Sequence, residues 1–262
     1  MKIAVITNPN VSNTKTVLDK LVEELTKKNL DYKVVNIDSL TNGFDFVCVI
    51  GGDGSILKAA RFFAEKQTPV LGINLGRLGF LSQSNECEIE KVVEAISTGN
   101  YKTQDRIMLK SGKWIALNDF VIKGCSCNRT SKFALKINDK YVCDYVADGL
   151  IVSTPTGSTA YGLSAGGPIL YPNINALVIV PICPHTLNAR PLVVPADEKV
   201  TISTMDEPLT ISIDGQERAD NISKIEIEIS QYRARLAFIE DDDFYSILRN
   251  KLHWGISPGN GK

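Results

Sequence analysis

The feature that most constrains this chain is a junction. An apolar run, Val47-Cys48-Val49-Ile50, passes through Gly51-Gly52-Asp53-Gly54-Ser55 into an amphipathic stretch from Ile56 to Ala64. Apolar run, glycines and helical spacing in that order read as strand, tight turn, helix. Gly51, Gly52 and Gly54 let the backbone turn sharply and let a ligand approach it. The helix N-terminus that follows offers unpaired N–H groups to an anion such as phosphate. Asp53 suits that guest badly, because a carboxylate in the turn repels phosphate. Two readings stand: Asp53 caps a helix that begins at Gly54 or Ser55, or a metal ion or a hydroxyl proton stands between it and the anion.

The same grammar runs through the first hundred residues. Lys2 to Thr7 is a strand ending at the turn cluster Asn8-Pro9-Asn10, and Val17, Leu18, Leu21, Val22 and Leu25 give a helix over Thr14 to Lys28 that Asn29 stops. Strands at Tyr32 to Ile37, Phe46 to Ile50 and Pro69 to Ile73 alternate with helices at Ser55 to Lys66 and Glu88 to Ser97. Such alternation predicts a parallel sheet covered on both faces, with ligands at the carboxyl ends of its strands, where the Gly51 to Gly54 turn falls. Near Gly99 the period changes to two. Trp114 to Ile122, Phe133 to Ile137, Tyr141 to Val146, Lys199 to Ser203, Thr210 to Ile213, Lys224 to Ile229 and Arg233 to Phe238 read as strands, with hairpin turns at Asn138-Asp139 and Asp214-Gly215. The expected organisation is therefore an α/β nucleotide-binding domain over residues 1–99 and a β-rich, sandwich-like domain over 100–239. A C-terminal helix within 240–262, spanning Asp242 to Leu252 and led by the acidic cluster Glu240 to Asp243, packs back on the first domain.

Charge narrows the partners. Lys and Arg total 29 against 30 Asp and Glu, so the chain lacks the basic field of a nucleic-acid binder. The six cysteines, at 48, 87, 125, 127, 143 and 183, read as buried reduced thiols of a cytoplasmic protein. Only Cys125 and Cys127 are close together and neither His185 nor His253 lies near them, which argues against zinc. The N-terminal apolar run is too short for a signal sequence or a membrane span.

Two further stretches carry polar chemistry. Between Asp148 and Pro168, a strand leads into a turn holding Ser153, Thr154, Thr156, Ser158 and Thr159, then a short helix, then another glycine turn. Those hydroxyls either cap their own backbone or bond a sugar, an amide or a phosphate; so dense a cluster beside two glycine turns favours the ligand. Gly157-Ser158 lacks the Gly-x-Ser-x-Gly order of a hydrolase elbow. The second stretch is Asn118-Asp119 between Leu117 and Phe120, an amide and a carboxylate interrupting strand-forming residues. It marks a hairpin turn or a site whose paired acceptor and donor suit ribose hydroxyls or an adenine edge.

Taken in order, Gly51-Gly52-Asp53-Gly54, Asn74-Leu75-Gly76-Arg77-Leu78-Gly79-Phe80-Leu81, Leu117-Asn118-Asp119, the Asp148 to Pro168 block, Cys183 to Leu192 and Ile213-Asp214-Gly215-Gln216 resemble the NAD kinases. The first turn alone is shared with diacylglycerol kinases, sphingosine kinases and phosphofructokinases; the Asp148 to Pro168 block separates this chain from them. The resemblance implies a two-domain NAD kinase-like fold and a homodimer or homotetramer. It also implies transfer of phosphate from ATP to the 2′-hydroxyl of the adenosine ribose of NAD, giving NADP, with a divalent metal, Mg2+, whose ligands it does not assign. On this resemblance Asp53 is the general base. Gly51, Gly52, Gly54, Ser55, Gly76 and Gly79 form the phosphate-donor loops. Gly54, Lys58, Asn118, Asp119, Arg129, Asp148, Thr156, Thr159, Ala160, Tyr161, Gly162, Leu163, Ser164 and Gln216 contact NAD. Two positions depart from the family pattern: Val146 stands where an arginine is common, and Ser55 stands where threonine is commoner. A lipid or sugar kinase, or a dinucleotide-binding regulator without catalysis, is the rival expectation.

Overall fold

Strands with no polar position to alternate must be buried on both faces, and three strands of the first half, around residues 3–6, Phe46–Ile50 and Val70–Asn74, are of this kind. In a computed structural model, which describes residues 1–9, 14–76, 79–82, 84–125, 130–204, 207–239 and 244–253, the chain divides into two compact units. Residues 1–105 with 235–262 form the first, and residues 106–234 the second. The expected division at residue 99 falls at the end of a helix, just ahead of the strand within which the chain changes unit.

The first unit begins β1 (Lys2–Thr7), α1 (Thr14–Lys27), β2 (Asp31–Asn36), β3 (Phe46–Ile50), α2 (Asp53–Phe63), β4 (Val70–Asn74), β5 (Ser84–Asn85) and α3 (Ile89–Thr98). Its parallel sheet has the order β4-β3-β1-β2. Successive side chains of a strand point to opposite faces. Leu71 and Ile73 of β4 accordingly join Ile3, Val5, Phe46, Cys48 and Ile50 in the core under α1 and α3. Gly72, between them, faces α2, where a Cβ would stand 2.2 Å from Ile56 Cδ1. This glycine is what lets α2 lie close on its face of the sheet. α1 buries Val17, Leu21 and Leu25 at four-residue spacing and ends as expected at Asn29, whose φ of 53° is the left-handed conformation of a helix terminator. α2 starts two residues earlier than its apolar pattern suggests and continues through a 3-10 turn, Ala64–Lys66.

The second unit contains β6 (Lys102–Ser111, which enters it at Arg106), β7 (Trp114–Ala116), β8 (Asp119–Gly124), β9 (Ser131–Ile137), β10 (Lys140–Ala147), β11 (Gly149–Ser153), α4 (Tyr161–Ser164), β12 (Ala176–Ile182), β13 (Leu192–Pro195), β14 (Val200–Thr204), β15 (Leu209–Ile213), β16 (Glu217–Ile222) and β17 (Lys224–Phe238, which leaves it after Ala234). One antiparallel sheet runs β13-β12-β11-β8-β15-β16, and β10-β9-β14-β17 form a second antiparallel array. Inward side chains from both, among them Phe120, Leu150, Leu177 and Ile211 from the first and Phe133, Leu135, Ile202 and Ile227 from the second, make one apolar core. This is the sandwich expected of a β-rich domain. Asn138-Asp139 and Asp214-Gly215 both carry positive φ at two successive residues, the hairpin turns that the strand twist favours. The runs Lys224 to Ile229 and Arg233 to Phe238, read separately, are one strand: β17 stays extended through Ser230 and Gln231. Its C-terminal end returns to the first unit, where Leu236 pairs parallel with Val70, and α5 (Phe244–Leu252) follows. The acidic cluster Glu240 to Asp243 lies outside the described residues.

Candidate active site

The strand order puts β2 on one side of β1 and β3 on the other, so the connections leaving the C-terminal ends of β1 and β3 diverge. That switch point is where open parallel sheets bind ligands. Asn8, just past β1, donates from Nδ2 to Ser55 Oγ at 3.4 Å, and a Cβ on Gly51 would crowd that hydroxyl at 2.9 Å. Gly52 has open space where its Cβ would be and supplies the first carbonyl of α2, accepting from Ser55 N at 3.0 Å.

Asp53 does not cap this helix. Gly52 is the N-cap and makes no side-chain cap, so Asp53 is the first helical residue. Its carboxylate turns instead to the second glycine loop. Phe80 N donates to Oδ2 at 2.8 Å and Leu81 N to Oδ1 at 3.2 Å. Gly79 makes the room: a Cβ there would lie 1.7 Å from Asp53 Oδ1 and 2.6 Å from Ser82 Oγ. That loop spends its own amides internally. Gly76 N donates to Asn74 Oδ1 at 3.3 Å and Gly79 N to Ser82 Oγ at 3.0 Å, while Asn74 Nδ2 donates to the same hydroxyl at 3.1 Å. Of the two glycines expected in the phosphate-donor loops, Gly76 donates to Asn74 and Gly79 to Ser82, and Gly79 leaves the space that Asp53 fills. Arg77 and Leu78 lie outside the described residues. Lys58, one turn along α2, pairs with Asp38 at 2.7 Å. From α5, Lys251 Nζ stands 3.8 Å from Asp53 Oδ2 and 4.8 Å from the centroid of the Phe80 ring.

In the second unit, Asn118-Asp119 is neither a hairpin turn nor part of an unbroken strand. The expected run Trp114 to Ile122 splits into β7 and β8, because the Asp214 carboxylate claims the backbone amides between them. Oδ2 accepts from Leu117 N at 2.9 Å, and Oδ1 from Asn118 N at 2.7 Å and Asp119 N at 3.0 Å. The carbonyls of the same segment are held from the other side. Thr154 Oγ1 donates to Leu117 O at 2.6 Å, and Thr154 N and Ser153 Oγ donate to Asn118 O at 2.9 and 3.2 Å. A Cβ on Gly157 would stand 2.2 Å from Asn118 O, so the turn after β11 presses its bare backbone against this segment.

The hydroxyl cluster divides cleanly. Ser153 and Thr154 serve the Leu117-Asn118 backbone, Ser158 Oγ donates to Pro155 O at 2.6 Å and accepts from Leu170 N at 3.0 Å, and Thr159 Oγ1 donates to Thr156 O at 3.2 Å. These four bond backbone, as local capping predicts. Thr156 differs: its hydroxyl is buried and lacks a hydrogen-bond partner among the described residues. A buried hydroxyl left so is costly, and of the five it is the one placed for a ligand atom. Asp148 is exposed at the start of β11. Ala160 leads into α4, which carries Tyr161, Gly162, Leu163 and Ser164; Tyr161 is partly exposed and Gly162 buried. Gln216 is exposed in the turn after Asp214, and Arg129 lies outside the described residues. The cysteines are not uniformly buried. Cys48 is buried, and its thiol is pushed up to about 12 by desolvation, whereas Cys87 and Cys183 are exposed.

Asp119 is the titratable group whose environment matters most. Burial, and then the neighbouring charge of Asp214, push its carboxyl up to about 7. The folded state therefore binds this proton more tightly than the unfolded chain does. Stability falls as pH rises from about 4 to about 7 and is flat above, since the unfolded carboxyl has already ionised. At about 1.4 kcal/mol per pH unit, the slope sums to on the order of 4 kcal/mol. Asp119→Asn is expected to remove this component, so urea midpoints of wild type and variant measured from pH 4 to pH 8 should converge or diverge over that window and run parallel above it.

The comparisons with known proteins agree with one another. The profile of the ATP-NAD kinase N-terminal domain matches residues 5–101, and that of the ATP-NAD kinase C-terminal domain matches residues 117–240. An NAD kinase of Clostridium botulinum (strain ATCC 19397 / Type A) is 37% identical over 270 residues, 96% of each chain. One of Carboxydothermus hydrogenoformans is 42% identical over 233 residues, 84% of this chain and 83% of that one. The fold is shared with the crystal structure of an NAD kinase from Archaeoglobus fulgidus in complex with ATP, with a TM-score of 0.81 and 24% identity over 97% of this chain and 99% of that one. It is also shared with yeast NADH kinase complexed with NADH, with a TM-score of 0.85 and 24% identity over 100% of this chain and 90% of that one. With a held aspartate at the switch point, a clamped Asn-Asp segment and both family domains matched in order along its length, this chain belongs to the NAD kinase family.

Proposed function

We propose that the chain transfers the terminal phosphoryl group of ATP to the 2′-hydroxyl of the adenosine ribose of NAD, giving NADP, with Asp53 as general base. The observation that carries the base assignment is the orientation of that carboxylate. Two backbone amides fix it, and because each carboxylate oxygen can accept more than one hydrogen bond, both keep lone pairs for the attacking hydroxyl. Phosphoryl transfer asks little covalent work of a protein; it asks for an in-line nucleophile and neutralised phosphates. The first turn of α2, opened by Gly52, suits the donor phosphates through its N–H groups and helix dipole. A magnesium ion accompanying the triphosphate would neutralise charge on its phosphate oxygens.

NAD, on this reading, is held by Asn118, Asp119 and the Thr156 hydroxyl, with Asp148, Thr159, Gln216 and the segment Ala160 to Ser164 around them and Gly54 and Lys58 beside the base. Val146, where an arginine is common in the family, contributes no charge to the dinucleotide. The test is NADP formation from NAD with ATP, other nucleoside triphosphates and polyphosphate in turn, each with magnesium. Failure of every donor overturns the proposal, and turnover of a lipid or sugar alcohol in place of NAD replaces it. Gly79→Ala should displace the Asp53 carboxylate by about an ångström and lower kcat roughly 100-fold, with NAD binding, measured by calorimetry, unchanged.

We further propose a cytoplasmic homodimer or homotetramer. Two exposed free thiols, Cys87 and Cys183, suit a reducing compartment. The edge strand β10 presents Tyr141 and Val142 to solvent, the kind of edge that pairing would cover. Light scattering that shows a monomer at all concentrations would count against assembly.

A further inference from the structure

We propose that Lys251 is a further catalytic residue of this kinase, whose ammonium binds the phosphoryl group in transit between ATP and the 2′-hydroxyl. The proposal rests on the assignment of Asp53 as base made above. Lys251 lies in the last turn of α5 and reaches the Asp53 carboxylate, where Nζ is 3.8 Å from Oδ2. That separation is longer than a hydrogen bond, so the ammonium's donors are not consumed by the carboxylate. Asp53 already takes its hydrogen bonds from the amides of Phe80 and Leu81, and so it does not need Lys251 to be oriented. What positions the ammonium is the ring of Phe80, 4.8 Å from Nζ, a cation–π contact that cannot occupy all three N–H donors at once. Lys251 keeps 27% of its side-chain exposure, enough for a ligand to reach it.

The chemistry needs a cation at this place. In the reaction the 2′-oxygen forms a bond to the γ-phosphorus as the bond from that phosphorus to the β,γ-bridging oxygen breaks. The hydroxyl proton passes to Asp53, and ADP leaves with the electron pair. The nucleophilic oxygen sits within hydrogen-bond reach of Asp53, and the equatorial oxygens of the transferred group lie about 3 Å beyond it. We place the ammonium, less than 4 Å from the base, against those oxygens, on which charge is spread in the transition state. It also offsets the repulsion between Asp53 and phosphate that makes the carboxylate awkward in this turn.

The test is Lys251→Ala in the full chain with NAD and MgATP. We expect kcat to fall about 100-fold, an unchanged KM for NAD and an unchanged melting temperature, with partial recovery of kcat on adding methylammonium or ethylammonium but not a neutral alcohol of the same size. Retention of kcat overturns the proposal, and so does a loss that alkylammonium ions fail to restore or that is matched by a fall in melting temperature. Lys251→Arg, which keeps the charge at a different geometry, should retain more activity than Lys251→Ala; equal loss in both counts against a charge role. Asp53→Asn run in parallel separates the two assignments. A dead Asp53→Asn with a fully active Lys251→Ala sinks only the lysine, and an active Asp53→Asn with an amine-rescued Lys251→Ala sinks only the base.

Discussion

Asp53→Asn is expected to lower kcat for NADP formation by about 10³-fold, within the range that a positioned base contributes, while NAD still binds. Asparagine keeps the shape and one acceptor, so the amide of either Phe80 or Leu81 can still be satisfied. The other then faces an NH2 group instead of an oxygen, and the Gly79 to Leu81 loop loses one of its two anchors on α2. A modest fall in stability should accompany the loss of rate, on the order of 1–3 kcal/mol for a donor left without its acceptor. Single-turnover kinetics and NAD titration separate the two effects. Most of the rate retained in the variant would remove Asp53 from the base role. Lost NAD affinity with a normal single-turnover rate at saturation would make Asp53 a binding group. An active wild type beside an inactive, NAD-binding variant would also dismiss a dinucleotide-binding regulator without catalysis.

The sequence discloses interactions that are local and conceals those made by partners far along the chain. β1, β3 and β4 are legible because each is apolar throughout and closed by turn residues, and burial on both faces demands that composition. The turn after β3 is legible for the same reason. What Asp53 does there is not, since its amide partners lie 27 and 28 residues on, in another loop. Local propensity offers only the helix cap, a role that Gly52 fills. The same limit explains the run Trp114 to Ile122, whose alternation is that of one strand; the break is imposed by a carboxylate 95 to 97 residues away. With the hydroxyls the concealed partners are backbone groups. Density suggested a ligand for all five, yet Ser153, Thr154, Ser158 and Thr159 close turns and clamp backbone, and only accounting for each donor and acceptor singles out Thr156. Lys251 gives no signal at all, because a lysine in the last turn of a helix is ordinary and its meaning comes from Phe80 and Asp53.

Asp214→Ala should have the largest effect on the second unit, though the sequence presents this residue as an ordinary Asp-Gly hairpin. The turn would survive the substitution poorly, because residue 214 has a φ of 52°, which aspartate tolerates and alanine resists. More costly is the loss of the carboxylate that accepts from three successive amides, at 2.7 to 3.0 Å. Hydrogen bonds to a charged group contribute about 1.5–3 kcal/mol each, and three on one acceptor are not additive. A loss of about 4 kcal/mol is therefore expected, or roughly 8–16 °C in melting temperature for a chain of this size. Asp214→Asn isolates the electrostatics, since asparagine accepts the left-handed backbone conformation. It keeps one acceptor oxygen for Asn118 and Asp119 and presents an NH2 group to Leu117 N, so roughly half of the loss should remain. Burial, the larger cause of the raised Asp119 carboxyl, remains in this variant, but the added repulsion from Asp214 is gone, so the upper end of the pH window over which stability declines should shift downward. The Leu117 to Asp119 segment is held by Asp214 on its amides and by Thr154 on its carbonyls, so relaxing one side frees the Asn-Asp pair to move. If that pair binds NAD, the KM for NAD rises in Asp214→Asn more than kcat falls. An unchanged KM in a folded, destabilised variant would confine Asp214 to architecture and take Asn118 and Asp119 out of the binding site.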